Sequence, residues 1–216
     1  GEAAQSRVRG SAFEAAASAI ASCPGVDWCR LSWPAASAPL DVDRAVEHVL
    51  EKSVEVISKR MAEASASGQQ QPRRIQVFLI GYSFGGAVAT QAACELTRAF
   101  RDLGTGISVS IDGLCVIDTV PHEDGGALEL DLLQDARVLL IASQHDPAGG
   151  FARPAHAATR ELFGAVPATR KEMVLLPGDE STSDGHMLLR RLTDFVLRGH
   201  LGDAGQAEAL RSKAAV

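Results

Sequence analysis

Gly81-Tyr82-Ser83-Phe84-Gly85 places a serine between two glycines, after an apolar run and before a segment rich in small residues. A serine in this setting serves as a nucleophile when the chain turns directly from a strand into a helix. That turn is so tight that only small residues fit two positions to either side, and it lifts the hydroxyl above the sheet. The backbone N–H of Phe84 would then meet a developing oxyanion, with the positive end of the helix behind it. A phosphate-binding glycine loop would end in Gly-Lys-Ser/Thr, whereas this one runs on as Gly85-Gly86-Ala87-Val88. The chemistry to expect is acyl transfer through a serine ester; the bland alternative is a glycine-rich turn with an incidental serine.

A serine hydroxyl is a poor nucleophile without a histidine base, itself oriented by a carboxylate. With an elbow of this kind the chain order is serine, acid, histidine, and the histidine follows the last strand. His186 occupies that place, in Pro177-Gly-Asp-Glu-Ser-Thr-Ser-Asp-Gly-His186-Met187, beyond an apolar run ending at Leu176. Two carboxylates compete for the third role. Asp118 stands in Ile117-Asp118-Thr119-Val120-Pro121, and Asp146 in Ser143-Gln144-His145-Asp146-Pro147. Both follow apolar strands, at whose carboxyl ends the sites of open α/β sheets form, but Asp is also a common turn residue there. His122 and His145 adjoin these acids and remain alternative bases, while His48, on a helix face, and His200 read as structural or exposed.

The elements that must position these groups follow from apolar runs and breakers. Ile75–Ile80 reads as a buried strand and Ala87 to about Leu103 as a helix whose Gly86, Ala87, Ala89, Ala92 and Ala93 allow close packing. Gly113–Ile117, Arg137–Ala142 and Glu172–Leu176 are further strands, and a helix runs from about Met187 to Arg198. Upstream, residues 12–21 are rich in helix formers and stop at Cys23-Pro24-Gly25, and Val26–Trp33 reads as a short strand closed by Pro34. Asp41 can cap a helix carrying Val42, Ala45, Val46, Val49, Leu50, Ile57 and Met61 on one stripe. Residues 62–74 read as a polar flexible loop and 202–216 as a polar tail. Near-continuous apolar runs alternating with helices imply an α/β fold, with a parallel sheet covered on both faces, in a single domain over residues 1–216.

Composition narrows the function classes. The formal charge of −6 over 216 residues gives no basic footprint for nucleic acid or anionic membrane. No apolar run reaches the length of a membrane span. The opening Gly1-Glu2-Ala3-Ala4-Gln5-Ser6-Arg7 carries no apolar signal core and no initiator Met, so a processed chain or a piece of a longer protein is expected. Cys94 and Cys115 fall in a predicted helix and strand and read as buried thiols, whereas Cys23 and Cys29 flank a turn and could pair if oxidised. No Cys/His spacing argues for zinc, no metal or redox cofactor is expected, and a reducing cytoplasm is the default.

Gly81-Tyr-Ser-Phe-Gly-Gly86, Gly113-Leu-Cys-Val-Ile-Asp-Thr-Val-Pro121 and Gly185-His-Met-Leu-Leu189 together resemble the thioesterase domains of polyketide, non-ribosomal peptide and fatty-acid synthases, in the α/β-hydrolase superfamily. The likeness runs from about Ile75 to Leu201. It implies hydrolysis or transfer of an acyl group from a phosphopantetheine arm on an acyl-carrier protein, or from acyl-CoA, through a Ser83 acyl-enzyme. In that family the acid often follows the strand after the nucleophile helix, which selects Asp118; stand-alone editing thioesterases and hydrolases generally place it one strand later, which selects Asp146. A carboxylesterase with the same triad, and an inactive fragment that keeps only the fold, are the alternatives. Two departures stand out. The family's sheet has a further strand between the Val26–Trp33 strand and the nucleophile strand, followed by a loop that gives a second oxyanion donor. Neither is found in this chain, and a gap inside a parallel sheet leaves backbone groups unpaired at about 1–3 kcal/mol each, so upstream sequence or rearranged pairing is expected. The stretch from Thr119 to Ala136, where the family inserts a helical lid, is short and holds little apolar surface, which implies an open site.

Overall fold

The computed structural model describes residues 14–15, 17–18, 20–22, 26–27, 29–31, 41–67, 74–101, 108–119, 128–143, 155–176, 191–192 and 194–195. Its centre is a sheet of four strands, β1 (Arg74–Tyr82), β2 (Ser108–Ile117), β3 (Arg137–Ser143) and β4 (Arg170–Leu176), in the order β1-β2-β3-β4. Every neighbouring pair is parallel. The fold is therefore of the α/β class. Helix α1 (Val42–Ala66) precedes the sheet, α2 (Phe84–Arg101) joins β1 to β2, and α3 (Ala155–Ala165) joins β3 to β4.

The alternation of side chains along each strand explains why the strands are apolar at nearly every position. Leu114 and Val116 of β2 and Val138 and Leu140 of β3 pack into one cluster with Ala89, Ala93 and Leu96 of α2 and Leu162 of α3. Their neighbours Cys115, Ile117, Leu139 and Ile141 point to the opposite face, against Ile20, Leu192 and Phe195 from helical stretches near the two ends of the chain. A sheet buried on both sides has no polar face to offer, so period-two alternation disappears from the sequence. Burial of each such leucine contributes roughly 1.5–3 kcal/mol.

Helix α1 starts where its sequence predicts. The Asp41 side chain accepts a hydrogen bond from the Arg44 N–H at 3.1 Å, and Ala45, Val46 and Val49 pack against Val88 and Ala92 of α2. Its end differs from the expectation of a loop from residue 62, since the helix continues to Ala66. Ala62, Glu63 and Ala66 are good helix formers, and Ser65 donates its hydroxyl to the Met61 carbonyl at 2.9 Å, so low complexity here is helix rather than linker. Helix α3 was not anticipated in the sequence, and β2 begins five residues before Gly113, at Ser108.

Of the expected strand Val26–Trp33, the described residues Val26, Asp27 and Cys29 to Leu31 belong to no strand, and the others lie outside the described residues. Asp27 instead accepts from the guanidinium of Arg60 on α1, and Arg30 pairs with Glu14. A strand exists only through the ladder it shares, and β1 pairs with β2 alone among the described residues. The middle of β1 is correspondingly only half-buried, where Gly113–Ile117 of β2 beside it are buried.

At the amino end of the sheet the β1/β2 register shifts between Val77 and Phe78, leaving Asp112 as the extra residue of a bulge. Burial pushes the Asp112 carboxyl up, but hydrogen bonds from Ser110 at 2.6 Å, from Gln76 and from Arg74 at 2.8 Å outweigh it and hold the group below the usual carboxylate range. Burial raises the Cys94 thiol to about 11 and Cys115 further still, which leaves both unreactive near neutral pH. No helix among the described residues is long and apolar enough to cross a membrane.

Candidate active site

Strand β1 passes into α2 with a single intervening residue, Ser83. Its φ of 54° is in the left-handed region, and this one reversal converts extended backbone into helix. The turn draws the strand end and the first helical turn into contact: a Cβ on Gly81 would lie 2.0 Å from the Gly85 carbonyl oxygen. Gly81 is thus required by space. Gly81→Ala is expected to destabilise the protein by about 3 kcal/mol, the upper range of overpacking, measured as a fall in the urea midpoint. A midpoint equal to that of the wild type would show that the turn accommodates a Cβ at position 81.

Ser83 is half-buried at the rim of the sheet, its N–H donating to the Ile117 carbonyl at 2.9 Å and its carbonyl accepting from the Gly86 N–H at 2.9 Å. Phe84 heads α2, so its backbone N–H lies at the positive end of that helix. Tyr82, just before the serine, is exposed. Along α2, Gly86, Ala87, Ala89, Ala92 and Ala93 are all buried, Ala89 and Ala93 in the cluster with β2 and β3 and Ala92 in the one with α1.

Asp118 stands at the end of the adjoining strand. Tyr82 pairs with Ile117 in register, so the residues that follow them, Ser83 and Asp118, leave neighbouring strands side by side. Asp118 is buried, and its φ of 45° is again left-handed. These two are the only non-glycine residues with positive φ among those described. Such conformations cost of order 1–3 kcal/mol and cluster at functional sites. The Asp118 N–H extends the ladder by one bond, to the Ile141 carbonyl of β3 at 2.8 Å.

No family model, curated protein or solved structure matches this chain.

The remaining candidates, His186 and Asp146, together with His122, His145 and His200, lie outside the described residues. Because the sheet is parallel, β3 and β4 end at Ser143 and Leu176 on the same edge of the sheet as Ser83 and Asp118. His48 is on α1, as expected. The stretch read as a shortened lid is described from Leu128 on; Leu130–Leu133 form one 3-10 turn, and Leu133 is fully buried with Leu130 and Leu132 packed on the same core. Where little apolar surface is expected, these leucines serve the core. Thr119, whose type and position signal no role in the sequence, is buried at the head of α2.

Proposed function

We propose that the protein is a serine hydrolase of the α/β-hydrolase kind that releases acyl groups from thioesters, with Ser83 as nucleophile. The observation that carries the reading is the juxtaposition of two left-handed residues, Ser83 and Asp118, on adjacent parallel strand ends at the head of α2. A strained turn that presents a hydroxyl beside a helix N-terminus is what acyl transfer requires. The thioester substrate, on an acyl-carrier protein or CoA, rests on the synthase-like motifs around Ser83, Asp118 and His186.

In this reading the Ser83 Oγ attacks the thioester carbonyl while His186 takes its proton. The Phe84 N–H and the dipole of α2 stabilise the tetrahedral oxyanion. Asp118 holds the imidazole tautomer. The thiolate leaves with the proton returned by His186, and water then hydrolyses the Ser83 ester by the same base. Comparing acyl thioesters with matched oxygen esters tests the substrate class: a higher kcat/KM on the thioester is expected, and a clear preference for the oxygen ester would make the protein a carboxylesterase.

The base has its own signature. Since His186 must be neutral to accept a proton, kcat/KM should rise with pH as the imidazole loses its proton and level off above that. His186→Ala should lower the rate and abolish that limb. An unchanged profile in the variant would transfer the role to another histidine.

A further inference from the structure

Thr119 is buried, and its side chain lies against the first turn of α2: a Cβ on Gly86 would come within 2.8 Å of the Thr119 Oγ1 and 2.9 Å of its Cβ. The Val116 Cγ1 would be 3.0 Å away on the same side, so neither the helix nor the end of β2 has room for one more carbon. Gly86 in turn donates its N–H to the Ser83 carbonyl at 2.9 Å, and Ser83 donates its own to the Ile117 carbonyl at 2.9 Å. The contacts close a ring that runs from Ser83 to Ile117, along the chain through Asp118 to Thr119, across to Gly86 and back to Ser83. Asp118 is the one member of the ring held on both sides along the chain, by the ladder at Ile117 and by the packing of Thr119.

We propose that Thr119 is a positioning residue whose packing on Gly86 holds the Asp118 carboxylate in place beside Ser83. The inference rests on the serine-hydrolase reading above. A left-handed aspartate followed by an unanchored residue could relax its φ and swing the carboxylate, whereas an anchored Thr119 fixes where the chain must leave Asp118. The ring also transmits the position of α2, and with it of the Phe84 N–H, to the acid, so that nucleophile, oxyanion donor and acid keep one mutual geometry. Preorganisation of this kind acts on the chemical step and not on substrate affinity.

The test compares Thr119→Ala with Thr119→Ser, alone and with Asp118→Asn, on one acyl thioester. Thr119→Ala should lower kcat by about tenfold with KM little changed, because the lost interaction acts only in the transition state. Thr119→Ser keeps both atoms that face Gly86 and should keep kcat within about twofold while losing thermal stability through its missing methyl. In the Asp118→Asn background Thr119→Ala should cost no further kcat, the non-additivity expected of residues acting through one group. Gly86→Ala attacks the same contact from the helix and should reproduce the kcat loss. Wild-type kcat in Thr119→Ala or in Gly86→Ala, full additivity with Asp118→Asn, or activity that tracks stability across the Ala and Ser variants would each overturn the proposal. Should Thr119→Ala not fold, Gly86→Ala decides alone. A wild-type protein that neither turns over thioesters nor is labelled at Ser83 by a fluorophosphonate fails the serine-hydrolase reading itself, and the inference with it. A labelled, active wild type with insensitive Thr119 variants fails the inference only.

Discussion

Ser83→Ala is expected to lose about 10⁴-fold or more in thioester turnover and all fluorophosphonate labelling, while keeping the wild-type circular dichroism spectrum. The size follows from what removal of a triad nucleophile costs in serine proteases, where the residual rate comes from oxyanion stabilisation and binding alone. The fold should survive because the backbone of Ser83, not its hydroxyl, makes the turn's described hydrogen bonds, to Ile117 and from Gly86. A variant within about tenfold of wild type would mean that the strained turn serves a purpose other than nucleophilic catalysis.

The second large effect chooses between the carboxylates. Asp118→Asn should reduce kcat by about 10³–10⁴-fold, since an amide in the acid's place stabilises the wrong imidazole tautomer. Asp146→Asn should stay near wild type. The experiment is clean at Asp118 because asparagine tolerates the left-handed region at least as well as aspartate, so the φ of 45° should persist in the variant. Asp118 is buried where its strand leaves the sheet beside the serine strand, and Asp146 lies outside the described residues, so the pair of variants makes the choice. A crippled Asp146→Asn beside a near-normal Asp118→Asn would reverse the assignment and align the protein with stand-alone hydrolases. It would also remove the basis for the role of Thr119.

What could be read from the sequence is what local chemistry determines. The tight Gly81-x-Ser83-x-Gly85 turn, the small face of α2, the Asp41 cap and the apolar runs of the four strands each depend on residues close together in the chain, and each appears in the structure. Periodicity and capping are properties of a segment, so a segment suffices to reveal them. The α/β class follows from their alternation.

Tertiary structure decided the rest, because it depends on partners distant in sequence. Val26–Trp33 has strand-like residues, but its described part pairs with no ladder and is tied instead through Asp27 to Arg60, thirty-three positions away. The order β1-β2-β3-β4, the bulge at Asp112 and the half-buried state of β1 are likewise outcomes of pairing. The sequence marks Asp118 and Asp146 as acids after strands, with Asp118 on the strand that follows the nucleophile helix; the fold pairs that strand with β1 and shows Asp118 buried and in a left-handed conformation. Thr119 lies within the Ile117–Pro121 motif with no role read from it, and its place against Gly86 exists only because β2 and α2 are pressed together over a residue without a side chain. A nucleophile is announced by the turn it needs, whereas the groups that hold its acid are chosen by whatever the folded chain brings within van der Waals contact.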